Sequence, residues 1–268
     1  MVVNWSQNRS KVLSLYDTSN NLLISTFQSD VTLNATLGQP YGTLRGSNFV
    51  YINGQRVVET TGQNAGYYKE SPTANEVIGN INPDWIGGIT NTFKYKNLSF
   101  SFLIDVRQGG DVHSLDLYYG LATGLYPETA GLNDLGNPVR NTVADGGGII
   151  YKGVTPDGKT NTQRVDISGL FGAYGYFRNP SAAFIYDASY VKLREASLTY
   201  AFPTGLMKKL HPIKAINVSL IGRNLWIIHK NLPYADPEET TSSGNIQGMQ
   251  TGAYPTVRNI GVNLNVTF

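Results

Sequence analysis

Residues Asn259–Phe268 read NIGVNLNVTF, and their alternation has no break. Ile260, Val262, Leu264, Val266 and Phe268 are apolar, while Gly261, Asn263, Asn265 and Thr267 are small or polar. A period of two is the mark of a β-strand with one face buried in something apolar. The ends of soluble domains tend to fray, yet this pattern persists to the aromatic Phe268. The strand is therefore predicted to meet an apolar environment along its whole length.

The same period recurs upstream. In ITNTFKYKNLSFSFLIDVRQGGD, Leu98, Phe100, Phe102, Ile104 and Val106 alternate with Ser99, Ser101, Asp105 and Arg107, and Leu103 is the exception. Ile89, Phe93 and Tyr95 continue the apolar parity before a tight turn at Tyr95–Leu98, which predicts a long hairpin. In SYVKLREASLTYAFP, Val191 and Leu193 share one parity, and Ala196, Leu198, Tyr200 and Phe202 the other. Such a change of phase predicts a β-bulge. After Pro203 and a compact connection, Ile216, Val218, Leu220, Trp226 and Ile228 form an apolar face opposite Asn217, Ser219 and Arg223. A weaker strand is expected around Tyr41–Ile52, and Val2–Leu37 carries only strand-like scraps. This gives about six strands, several longer than the usual five or six residues.

Connection lengths alternate. Tyr95–Leu98 and Pro203–Ala215 are short; Gln55–Asp84, Gly109–Ala188 and His229–Val257 are long. Loops longer than roughly 15 residues are uncommon in compact domains unless they have a function. Short turns at one end and long loops at the other characterise outer-membrane β-barrels, whose strands cross at a tilt with about 9–11 residues. A soluble β-sandwich or barrel with an aromatic core would have the same periodicity. Aromatics near strand ends (Tyr95, Phe202, Trp226, Phe268) match interfacial girdles and favour the membrane. On this reading Leu98, Phe100, Phe102, Ile104, Val218, Leu220 and Trp226 face lipid. Val262, Leu264, Val266 and Phe268 then form the signal read by the barrel-insertion machinery, with Phe268 at the periplasmic interface.

Composition agrees. Charged residues are only 15 % of the 268, and the formal charge is +2 with Lys and Arg dispersed, so no basic stripe suggests nucleic acid. Polarity comes from Asn, Ser, Thr and 29 Gly, alongside 17 Tyr and 10 Phe. Cysteine is absent, which excludes disulfides, thiolate metal sites and Cys nucleophiles. No apolar run approaches the roughly 18 residues of a membrane helix, and MVVNWSQNRSK lacks the apolar core of a signal peptide.

Four stretches carry a family resemblance. VIGNINPDWIGGITNTFKYKNLSFSFLIDVRQGGDV resembles a loop–hairpin junction of the SusC/RagA family, the TonB-dependent outer-membrane transporters of Bacteroidota. YDASYVKLREASLTYAFP is similar to a late strand of that family. VSLIGRNLWIIHKNLPYADPEE resembles its NL…DPE segment, here Asn224, Leu225, Asp236, Pro237 and Glu238, and YPTVRNIGVNLNVTF its closing strand. The matches are co-linear through much of Asn75–Phe268.

The resemblance implies an all-β chain: the C-terminal portion, about six strands, of an antiparallel transmembrane barrel of roughly 22, with short periplasmic turns and long extracellular loops. Residues 1–40 are expected to hold a partial strand and connection, and 41–268 the barrel portion. The family's plug and TonB-contacting segment precede the barrel and are not matched. The implied function is import of glycans or peptides across the outer membrane, powered by the TonB complex through those N-terminal parts. The implied partner is a SusD-like surface lipoprotein. The competing expectation is a soluble β-structured binding or adhesion module with aromatic recognition loops.

No catalytic constellation emerges from three His and scattered Ser, so neither an enzyme nor a cofactor is expected. Asp111, His113 and Asp116 have the residue types of a metal site but no further ligand nearby. ADGGG around Asp145–Gly148 lacks the Gly-Lys-Ser/Thr of a phosphate loop and is expected to be flexible. Thr155–Thr162 lacks the register of a calcium loop and is expected to turn. Asp236, Pro237 and Glu238 are expected to shape a loop. Tyr118, Tyr119, Tyr126, Tyr174 and Tyr176, with Phe171 and Phe177, are candidate contacts for substrate or partner; packing within the loop ranks ahead of sugar stacking.

Overall fold

A computed structural model describes residues 1–239 and 244–268; residues 240–243, inside the His229–Val257 connection, lie outside the described residues. Six strands form one antiparallel sheet in chain order: β1 (Val2–Ser6), β2 (Trp85–Tyr95), β3 (Leu98–Gln108), β4 (Tyr190–Ala201), β5 (Ala215–Lys230) and β6 (Asn259–Thr267). β1 and β6 are the two edges of this sheet.

Register puts the alternating apolar residues of the six strands on one face, with Ile86, Leu103, Ile221 and Ile227 among the exceptions on the other. Phe93 lies opposite Phe100, Ile89 opposite Ile104, Leu198 opposite Phe100, Leu220 opposite Leu198 and Val262 opposite Leu220. The other face is lined by hydroxyls and charges, and cross-strand partners bond directly. Ser101 and Ser197 hydroxyls meet at 2.8 Å, and those of Thr199 and Ser219 also at 2.8 Å. One register slip would exchange the two faces, so their uniformity over six strands shows a strictly specified pairing. The phase change in β4 is a bulge between Leu193 and Glu195 that leaves Arg194 unpaired in the ladder.

The apolar face has no covering layer among the described residues. Phe93 is 56 % exposed, Trp226 58 % and Val262 73 %. Buried apolar clusters lie instead in the connections, around Leu33, Leu44 and Ile81, around Val112, Leu117 and Leu232, and around Val139, Val165 and Ile167. Among the described residues no helix is long and apolar enough to cross a membrane.

Short connections share one end of the sheet. Tyr95 and Leu98 face each other across Lys96–Asn97, with Lys96 in the left-handed region at φ 51°. Residues 202–214 contain one helical turn, Thr204–Met207, that buries Met207. Long connections, residues 7–84, 109–189 and 231–258, all leave from the opposite end. At the corner where β3 ends, Gly109 (φ 75°) and Gly110 (φ 81°) are left-handed. A Cβ on Gly109 would meet the Asp84 carboxylate at 2.5 Å, so the RQGGD turn requires glycine.

These connections fold together. Asn21–Thr26, Thr32–Thr36, Thr43–Gly46 and Glu76–Asn80 form a four-stranded sheet. Asp111–Ser114 pairs with Ile185–Asp187 on one side and, in parallel, with Met249–Gln250 on the other. Ile185 and Met249 also pack on the Leu33 cluster, so all three long connections contribute to one layer.

The expected wall strand at Tyr41–Ile52 is corrected. Thr43–Gly46 belongs to the connection sheet and Tyr51–Ile52 to a small hairpin, and Val2–Ser6 takes the place in the wall. The first long connection consequently begins at residue 7, not at Gln55. Val2–Ser6 is too short for its alternation to stand out, but Val3 and Trp5 lie on the apolar face opposite Ile89 and Gly87.

Candidate functional site

The strand ends nearest the loop layer hold a cluster of charges. β4 presents Tyr190, Lys192 and Arg194; β3 presents Asp105; the 231–239 segment brings Asp236 and Glu238 to them. Lys192 Nζ donates to Asp236 Oδ1 and to Glu238 Oε2, both at 2.5 Å. The Lys192 and Asp236 side chains are 4 % and 1 % exposed. Arg194 Nε donates to Asp105 Oδ2 at 2.8 Å, and its Nη2 reaches Glu238 Oε1. The Tyr190 hydroxyl donates to Glu238 Oε1 at 2.9 Å, and Thr256 Oγ1 to Asp236 Oδ2 at 2.9 Å. Burial raises the Glu238 carboxyl, but hydrogen bonds and charge from Arg194 and Lys192 outweigh it and hold it down to about 2. The buried Lys192 and Asp236 charges are paired with each other, as a low-dielectric setting requires.

Asp236–Glu238 thus do more than shape a loop: they fasten it to β4. This link joins KLR of one resembling stretch to DPE of another, and their separate reading in sequence missed it. A signal was present. In a chain with 15 % charged residues, Asp105, Lys192, Arg194, Glu195 and Arg223 all fall in strands.

The aromatic candidates divide into groups. Tyr118, in α1 (Leu115–Ala122), is buried; it stacks on Tyr176 at 4.3 Å and meets Tyr119 edge-on at 5.0 Å and Phe184 at 4.9 Å. Phe171 and Phe177 stack at 4.9 Å and stay over half exposed, at 61 % and 55 %. Tyr126 stacks on Tyr234 at 4.2 Å, joining two long connections. Tyr174 packs against the Val139 cluster and lines a cavity of about 350 Å³ with Arg56, Tyr68, Tyr151 and Tyr186.

His113 is fully buried between Phe27 (6.4 Å, stacked) and Tyr118 (6.0 Å, edge-on). Neither ring nitrogen has a hydrogen-bond partner among the described residues, and burial lowers its pKa to about 4. Asp111 accepts from the Asn80 backbone N–H at 2.8 Å and Asp116 from the Gln250 amide at 2.6 Å, so they do not converge on His113. ADGGG forms a hydrogen-bonded turn: Thr142 caps Val143–Asp145, and the Asn133 amide donates to Gly146 O at 2.8 Å. Thr155–Thr162 turns as expected, with Thr155 N–H donating to Lys159 O at 2.8 Å.

The residues read in sequence as an insertion signal lie on the apolar face, Val262, Leu264 and Val266 opposite Leu220, Val218 and Ile216, and Phe268 follows the last ladder residue, 67 % exposed. Leu98, Phe100, Phe102, Ile104, Val218, Leu220 and Trp226 share that face.

An antiparallel all-β wall with an uncovered apolar face and one compact loop layer is the fold class these features define. It matches solved structures of the RagAB peptide transporter: one aligns over 98 % of this chain and 26 % of that chain with a TM-score of 0.61 at 16 % identity. Its open-open state aligns over 99 % with a TM-score of 0.60. In sequence, the chain is 31 % identical over 202 residues to TonB-dependent receptor P26 of Formosa agariphila, covering 72 % of this chain and 18 % of the relative. TonB-dependent receptor P39 of the same organism is 25 % identical over 243 residues, 88 % of this chain and 21 % of the relative. By sequence the chain is similar to TonB-dependent receptors, which are not enzymes, and its fold is that of the RagAB transporter structures. It spans about a fifth of the length of these curated relatives. No protein-family model matches the chain.

Proposed function

We propose that this chain is a portion of the barrel wall, with its outer loop layer, of an outer-membrane TonB-dependent transporter that imports glycans or peptides. The observation that carries the proposal is the two-faced sheet. One face is apolar and uncovered from β1 to β6, and the other is hydroxylated and charged. In water such a face is a liability; against lipid it is the requirement. Aromatics at both strand ends support the orientation, Trp5 and Trp226 toward the loop layer, Tyr95 and Phe268 toward the short turns. The loop layer then stands outside the cell and the short turns in the periplasm. The partner implied by the resemblance is a SusD-like lipoprotein capping the loops, and energy arrives through the TonB complex.

Because the chain has no cysteine, single cysteines can be read without background from it. With the full-length protein in outer-membrane vesicles, Leu220→Cys should react with a lipophilic maleimide and resist a charged one. Ser219→Cys, its neighbour on the polar face, should react with the charged reagent. Equal reaction of both positions with the charged reagent would refute a lipid-facing wall.

A further inference from the structure

Arg56 has an unusual setting. Its guanidinium carbon lies 3.8 Å from the centre of the Phe49 ring and 5.2 Å from that of Tyr68. Phe49 and Tyr68 are themselves held edge-to-face at 5.2 Å, and Tyr68 lies against Tyr151 at 4.2 Å. Arg164 and Arg140, also in the loop layer, use their donors within the chain, Arg164 on Asp134 and Arg140 on the Thr129 and Gly124 carbonyls. Arg56 has neither an ion pair nor a side-chain hydrogen bond among the described residues, and the nearby acid Glu59 is taken by Lys69 at 3.2 Å. Stacking occupies the face of a guanidinium and leaves its in-plane N–H donors free.

Arg56, itself exposed, lines the 350 Å³ cavity together with Tyr68, Tyr151, Tyr174, Asn179 and Tyr186. The walls are fixed. Tyr68 donates to Lys152 O at 3.0 Å, and the Asn179 amide to Ala173 O and Gly175 O at 2.8 and 2.9 Å. The backbone bearing Arg56 is pinned by Val154 N–H donating to Arg56 O at 2.9 Å. A volume above roughly 300 Å³ suits a small ligand. Charge across the cavity is asymmetric: burial raises the phenols of Tyr174 and Tyr186, and the Glu128 carboxylate raises both further. The anionic end of a ligand would be repelled from that side and drawn to Arg56.

We propose that this cavity binds a uronic-acid unit of an oligosaccharide, its carboxylate bridged bidentately by Arg56 and its ring stacked on the tyrosine walls. A planar fork matched to a carboxylate and flat aromatic walls matched to a sugar's C–H faces are the two halves of that recognition. The proposal deepens the transporter reading and rests on it only in taking the ligand to be cargo.

The test is calorimetry on the purified full-length protein with galacturonate, glucuronate and mannuronate tetrasaccharides, beside their methyl esters and a neutral glucose tetrasaccharide. At least one free uronate should bind, its ester and the neutral sugar at least tenfold more weakly. Arg56→Gln should weaken that uronate by about 10- to 100-fold, the range for a charge-assisted hydrogen-bonded contact, and leave the neutral sugar unchanged. Arg56→Lys, which keeps charge but not the fork, should fall between. Unchanged trypsin resistance of the loop layer in both variants establishes that it is folded. No uronate binding, binding unaffected by Arg56→Gln, or preference for a sulfated sugar or an acidic peptide would overturn the proposal. The cysteine-labelling result is independent, so a failed ligand test with intact labelling removes this inference and leaves the transporter reading.

Discussion

Glu238→Gln tests the fastening of the 231–239 segment to β4. In the folded chain Glu238 titrates at about 2 against 4.5 for a free glutamate, a difference worth roughly 3 kcal/mol at neutral pH. Its side chain is 27 % exposed, and solvent screening trims this to about 2 kcal/mol. The glutamine keeps the shape and loses the charge, leaving Lys192 with Asp236 and Arg194 with Asp105. The folded value is depressed, so the stabilisation is complete above about 4.5 and is lost as the pH falls toward about 2. Hydrogen exchange of the full-length protein in detergent at pH 7 should show the backbone of residues 231–239 opening about 30-fold more often in the variant. Peptic cleavage of the wild type in this segment should rise between pH 4 and pH 2.5, while the variant is cleaved readily at both. Wild-type exchange in Glu238→Gln at pH 7 would refute the fastening.

Three further outcomes follow from the same geometry. Phe100→Arg, on the apolar face, should lower the stability of the full-length protein in bilayers by about 2–4 kcal/mol, measured by urea unfolding, and Ser101→Arg by far less; equal losses would point to a core on both faces. An epitope inserted within Thr155–Thr162 should be labelled on intact cells, and labelling only after the outer membrane is permeabilised would invert the topology. His113 is held neutral by burial at about 4, below the 6.5 of a free imidazole, so the loop layer loses stability as the pH falls from about 6.5 toward 4. His113→Phe should remove that dependence, read as trypsin resistance of the loop layer at pH 7 and at pH 5.

The wall was legible because an apolar face and a polar face impose opposite demands on alternate residues, and that demand is written at period two in NLSFSFLIDV and NIGVNLNVTF. The bulge in β4 appeared as a change of phase at Leu193–Ala196. Val2–Ser6 was not legible, since five residues give too few alternations to separate a strand from a scrap. Nor was the loop layer. Its strands are two to six residues long and pair across large separations, as His113 does with Met249, and no local pattern encodes such contacts. The charge cluster was half legible: DPE stood out as a motif, but its attachment to Lys192 and Arg194 spans more than forty residues. The stacking of Arg56 on Phe49 and Tyr68 left no periodic trace at all.

The parallel pairing of Met249–Gln250 with His113–Ser114 has a consequence for how such chains can diversify. Gln250 accepts from the Ser114 hydroxyl at 2.7 Å and is itself fully buried, while Met249 packs on the cluster built by the first connection. A loop transplanted singly from a relative would arrive without the residues it must interlock with. Exchange of the loop layer between related chains should therefore succeed when all three long connections move as one cassette, and their residues should drift in concert while the wall beneath them drifts independently.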